Sequence, residues 1–202
     1  MKAVSIVVAF ITTAVFSTTA AFASTPGRTS GIYLTAADYT ERRPSFEGDC
    51  KTPSHKIELH NIVHKPYIEI MHGTATRKYA KSDLFGFRAC DGREYRFVDI
   101  REYEILESRQ ISIYTIQVPA RESKDLARDR PATRLYFFSE GPAGEVLPLT
   151  RNNLRRAFPD NHAFHDAIDQ MFHSDAELPQ YDDFHKMFKI NRLLVASQSS
   201  GR

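Results

Sequence analysis

The sequence predicts an α+β protein: an antiparallel sheet built from hairpins, followed by about three C-terminal helices packed on one face or end. Three observations lead there. From Ile57 to Leu149 apolar residues tend to alternate with polar ones, the period of half-buried strands. Within that span Asp91-Gly92 separates two arms dense in aromatic residues, Leu84–Ala89 and Glu94–Val98, a strong short-range hairpin signal. After Thr150 the apolar spacing changes to three and four, the helical period.

The chain opens on an address. Met1-Lys2 is a short positive region, Ala3 to Phe16 is almost wholly apolar, and Ala21-Phe22-Ala23 has the small-x-small form of a signal-peptidase site. Residues 1–23 are therefore expected to be a cleaved signal peptide, too short in its apolar run for a membrane span of roughly 20 residues. No later segment is apolar enough to cross. Residues 24–196 are expected to form a single α+β domain and 197–202 a disordered tail.

Along the expected mature chain, Ser24–Ser30 reads as a leader and Gly31–Leu34 as a strand. Thr35-Ala36-Ala37-Asp38 has the spacing of a capping box, which predicts a short helix ending before Pro44. Ser45–Ser54 reads as a loop holding Cys50. Ile57, Leu59 and Val63 share a strand face, Pro66 interrupts, and Tyr67–Met71 and Thr74–Tyr79 continue the sheet. In the central hairpin a two-residue turn would place Arg88 opposite Tyr95 and Gly86 opposite Phe97, leaving room over Gly86 for the Phe97 ring. Tyr103–Glu107, the β-branched run Ile111–Val118, Arg134–Ser139 and Glu145–Leu149 complete the strands. The charged, proline-broken stretch 119–133 reads as a long loop. Three helices follow. Thr150 caps the first and Pro159 stops it; Asp160 caps the second, which buries Phe164, Ala167, Ile168, Met171 and Phe172. The third runs from about Pro179 to Ala196 with Phe184, Met187, Phe188, Leu194 and Val195 inward.

Composition narrows function more by exclusion than by assignment. The 27 Lys and Arg balance 25 Asp and Glu, and no long block carries one sign, so nothing points to nucleic acid. Cys50 and Cys90 are the only cysteines, and in an oxidising compartment they are a candidate disulfide, although spacing alone does not bring their Cα atoms within about 7 Å. His162, Asp166, Asp169 and His173 would line one helical face, but its ends lie about 16 Å apart, so only neighbouring members could share an ion. His60 and His64 share a strand face with over 13 Å between them, and no HExxH or Gly-x-Ser-x-Gly pattern occurs. No catalytic residue, cofactor site or metal site is assigned. The interleaved Phe85, Phe87, Tyr95, Phe97 and Arg88, Arg93, Arg96 of the hairpin read as core on one side and exposed strand face on the other.

Four stretches carry a likeness: Gly31–Tyr39, the Phe85-Gly86-Phe87…Asp91-Gly92 hairpin, Leu149–Asn161 and Tyr181–Leu194. Together they resemble uncharacterised exported proteins of Bacteroidetes-type bacteria, in which a post-signal strand precedes an aromatic-Gly-Phe…Asp-Gly hairpin. This chain has Phe85 where such proteins often carry Trp. The resemblance implies export and the fold class and supplies no catalytic residue. The resulting expectation is an exported periplasmic or secreted envelope protein, non-enzymatic, binding an unknown ligand or envelope partner through its sheet or the 119–133 loop. The alternative is a histidine-dependent metal-binding or metallohydrolase-type protein. A purely structural part in a complex is a third.

Overall fold

Local chemistry sets the first elements. Thr35 caps α1 (Ala36–Thr40): its hydroxyl accepts from Asp38 N at 3.1 Å, while Asp38 takes the Thr35 N–H at 2.9 Å, the expected capping box. The computed structural model describes residues 29–51, 55–59, 65–118 and 133–199; the expected signal segment, most of the expected leader, His60, Val63, His64 and residues 119–132 of the expected loop lie outside them. The strands are β1 (Thr29–Tyr33), β2 (Phe46–Asp49), β3 (His55–Glu58), β4 (Tyr67–His72), β5 (Ala75–Ala80), β6 (Gly86–Arg88), β7 (Glu94–Val98), β8 (Arg101–Glu107), β9 (Ile111–Val118), β10 (Thr133–Glu140) and β11 (Leu147–Pro148). Then come α2 (Arg151–Ala157), α3 (His162–Met171), a short hairpin of β12 (Tyr181–Asp182) and β13 (Met187–Phe188), and α4 (Lys189–Ser199).

The fold class is α+β, as expected. Eight strands form one antiparallel sheet in the order β11-β10-β9-β8-β7-β6-β1-β2, and β3-β4-β5 form a second, three-stranded sheet. Ile32, Phe87, Tyr95, Glu104, Thr115 and Tyr136 are successive register partners across the large sheet and share one face. That face has two separate covers. Over β9–β11 lie α2, α3 and α4, burying Ile111, Ile113, Phe138, Leu154, Phe164, Ile168 and Leu194. Over β1, β6 and β7 lies the three-stranded sheet, whose Ile68 packs with Ile32, Leu84, Phe87 and Phe97. The opposite face carries Tyr33 and Phe85 under Tyr39 of α1.

Four expectations are corrected. The β6–β7 turn is longer than two residues: Gly92 N donates to Ala89 O, Gly92 alone has a positive φ, and Asp91 holds Arg93 N at 3.0 Å. This is a type I turn closed by a left-handed glycine, so Phe87, not Arg88, opposes Tyr95, and Arg96 opposes Gly86. Gly86 makes room for backbone rather than for a ring, since a Cβ there would lie 2.0 Å from the Tyr95 carbonyl oxygen. The loop expected at 45–54 contains edge strand β2. Asn161, not Asp160, caps α3, accepting from Phe164 N.

The fourth correction is the largest. The expected helix from Pro179 begins only at Lys189, because Asp182 captures the N–H groups of Phe184 and His185, each at 3.1 Å, and Lys186 is left-handed at φ 52°. A hairpin results, with Phe184 exposed at 88% instead of inward. Val195 also faces solvent, and α4 continues through Ser199, beyond the expected Ala196 boundary.

Two polar pins hold the covers down. Asn191, almost fully buried on α4, accepts from Ile111 N and donates to Ile111 O and Glu107 Oε2. A bulge between Ile105 and Glu107 is what turns Glu107 toward the helices. Lys81, fully buried, places Nζ 2.8 Å from Glu102 Oε1 and 5.6 Å from the Phe97 ring centre, at the seam between the two covers. Removing one partner strands the other's charge, whereas removing both does not. Denaturant unfolding should therefore show Glu102→Leu losing about 3–5 kcal/mol, and the double variant Lys81→Met/Glu102→Leu recovering most of it.

Candidate functional site

Cys50 and Cys90 are brought together. They form a disulfide with Cα atoms 5.8 Å apart, joining the end of β2 to the β6–β7 turn across 40 residues. In the chain-entropy model a loop of that length contributes about 4 kcal/mol. The bridge fixes β2, the last strand of the large sheet, whose one strand neighbour among the described residues is β1.

Beside that fixed edge the two sheets splay apart into a cleft with two cavities. One, of about 380 Å³, has Ile57, Leu59 and Phe87 as its apolar wall, the disulfide at its side and Lys51 and Lys56 among its lining residues. The other, of about 420 Å³, lies between β2 and the β4–β5 hairpin, bounded by Phe46, Ile70, Met71, Tyr79 and Arg77. Such volumes and mixed walls are those of small-molecule and side-chain pockets. Lys56 pairs with Glu58 and Arg88 with Glu47, but the Lys51 ammonium and the Arg77 guanidinium have no ion pair among the described residues. Each cavity thus combines an apolar wall with one cation that makes no ion pair among the described residues, Asp49 also lining the first and the Arg88-paired Glu47 the second.

The opposite face of the sheet holds a polar network instead. Tyr33 donates to Glu94 at 3.1 Å. Arg96 Nη1 donates to Tyr114 Oη at 3.2 Å and Ser139 Oγ at 3.4 Å, and those two hydroxyls lie 2.8 Å apart. Burial, then the Glu94 charge, pushes the Tyr33 hydroxyl up to about 12, and burial moves Tyr39 the same way.

Among the described residues no three of His, Cys, Asp and Glu converge on a point where an ion could sit. On α3, Asp169 is engaged by Arg155 and His165 contacts the Phe158 carbonyl, while His185 pairs with Asp182 on the β12–β13 hairpin. Asp182 is held below the usual carboxylate range by the His185 backbone N–H and then its ring. The hairpin aromatics divide only in part as expected: Phe87 and Phe97 are core, with Phe87 stacked on Tyr95 at 4.7 Å, but Phe85 is buried on the arginine face with Tyr33 and Tyr39. Arg88 and Arg93 pair with Glu47 and Asp91. Arg96 is neither exposed nor ion-paired, a position the expected turn concealed.

These features define a class of protein: a disulfide-tied α+β module with a cleft between two antiparallel sheets. Comparison with protein-family models, with curated proteins and with solved structures found no match to this chain.

The tyrosine network makes stability depend on alkaline pH. Because the Tyr33 pKa is raised on folding, from 10.0 to about 12, its contribution is intact below pH 10 and is lost as pH rises toward 12. Denaturant unfolding at pH 9 and pH 11 should show a fall that is smaller in Tyr33→Phe; an identical fall in both proteins refutes the assignment.

Proposed function

We propose that the mature chain is an exported, non-enzymatic envelope protein that binds a ligand or partner in the cleft beside β2. The observation that carries this reading is the pair of apolar cavities flanking a disulfide-held edge strand, each lined by a cation that makes no ion pair among the described residues. An apolar body with an anionic group fits that chemistry: burial of the body drives association, and Lys51 or Arg77 fixes its orientation. The N-terminal signal pattern supports export. So does the Cys50–Cys90 bridge, since such bonds persist in oxidising compartments. No helix among the described residues is long and apolar enough to cross a membrane.

Two measurements test the two halves of the proposal. Mass spectrometry of the protein recovered from expressing cells should show Ser24 as the N-terminus and no free thiol; a full-length, reduced product contradicts export. For the cleft, the probe is anilinonaphthalene sulfonate, an aromatic body bearing one sulfonate. The cooperatively folded mature chain should give saturable fluorescence that falls at least tenfold in affinity in Lys51→Glu/Arg77→Glu and is unchanged in Phe184→Ser. Equal binding by the cleft variant, or none by the parent, rejects the cleft as the binding surface.

A further inference from the structure

Arg96 occupies the large-sheet face opposite the cleft, half-buried, with its guanidinium 5.4 Å from the Phe85 ring centre and 5.7 Å from that of Tyr114. A partly desolvated guanidinium normally has a carboxylate partner. This one has none among the described residues. Glu94, two residues earlier on the same strand face, takes the Tyr33 hydroxyl instead and lies beyond ion-pair distance from Arg96. The bonds Arg96 does make are all on one nitrogen, Nη1. They also have a direction. Ser139 Oγ donates onward to the Gly141 carbonyl, Tyr114 can then donate to Ser139, and Arg96 supplies the remaining protons. The hydroxyls thus act on Arg96 as acceptors and fix its plane.

What remains free is the Nε–Nη2 side. In a guanidinium Nε–H and one Nη2–H point the same way, the edge that takes a carboxylate or phosphate in two parallel bonds. Neither nitrogen has a protein partner among the described residues, and neither is sealed from solvent.

We propose that the Nε–Nη2 edge of Arg96 is a binding site for an oxyanion that presents two oxygens to the two parallel N–H bonds of the fork. Phe85 and Tyr114 hold the guanidinium flat, and the Tyr114–Ser139 relay keeps it from turning away. The site is separate from the cleft and does not rest on the function proposed for it.

The test follows the side-chain Nε–H resonance of Arg96 in the nitrogen-15 spectrum of the folded mature chain, assigned by its loss in Arg96→Lys. Acetate, orthophosphate and chloride are titrated at matched ionic strength. A saturable shift with acetate, at affinity on the order of millimolar for so small a ligand, is the expected result. Phosphate, which also presents two oxygens to the fork, should saturate as well, and chloride should give a linear drift only. Amide signals of Tyr114 and Ser139 should follow the acetate titration in the parent and lose it in Arg96→Lys, which keeps the charge but not the fork. A non-saturable response, or amide shifts unchanged in Arg96→Lys, overturns the proposal.

Discussion

The structure depends first on the length of one turn. With Cys90, Asp91 and Gly92 closing the β6–β7 hairpin, Phe87 faces Tyr95 and Gly86 faces Arg96. A turn shorter by one residue would pair Phe87 with Arg96 and Gly86 with Phe97, and because side chains alternate, aromatic and charged positions would then share a face. The observed register sends Phe87, Tyr95 and Phe97 together toward the three-stranded sheet and leaves Arg96 with Tyr33 and Tyr114 on the other side. Gly92 makes this possible by taking the left-handed position, and Gly86 by admitting the Tyr95 carbonyl where a side chain would stand. The disulfide then ties that same turn to β2, so the feature that sets the register also fixes the sheet's edge.

A wide sheet with one strongly apolar face requires more cover than a single layer of three short helices provides. Here the face is divided, helices over β9–β11 and a second sheet over β1, β6 and β7. The boundary is where polar groups enter the interior. Glu102 comes up from β8 to meet Lys81, and the bulge before Glu107 turns that carboxylate toward Asn191 and the Phe188 N–H. Buried groups of this kind add little net stability once desolvation is counted. Their role here is positional, because each is satisfied only when its cover sits in one place.

The sheet strands were legible because half-burial imposes period two, and α1 and α2 because Thr35 and Thr150 bear their caps in plain view. Three features were not, each for a physical reason. β2 is short, contains a glycine and packs on one side only, so no alternation marks it. The 181–188 segment has helical apolar spacing, yet Asp182 turns its carboxylate on the backbone of Phe184 and His185, and local hydrogen bonding of that sort outweighs periodicity over so few residues. Arg96 was hidden by the turn: assigning Asp91-Gly92 to a tighter hairpin misplaces every residue opposite it. The cysteine pairing was readable as a candidate from composition alone, but its 5.8 Å approach depends on β2, the strand the sequence conceals.

The cleft and the Arg96 edge share one physical signature, a cation left without a carboxylate beside aromatic or apolar surface. Elsewhere this chain pairs such cations readily: Arg88 with Glu47, Arg93 with Asp91, Arg109 with Glu107, Lys78 with Glu69. Lys51, Arg77 and Arg96 have no such partner among the described residues, the first two at a cavity wall and the third between two rings. For the exposed ends of Lys51 and Arg77 water can substitute at small cost. For Arg96 it does so less well, since stacking and partial burial strip part of its hydration while its protein bonds among the described residues all fall on Nη1. The degree of desolvation therefore orders the candidates. The cleft offers room and apolar area, which favour affinity, whereas Arg96 offers a fixed plane and few degrees of freedom, which favour selectivity for the geometry of the anion.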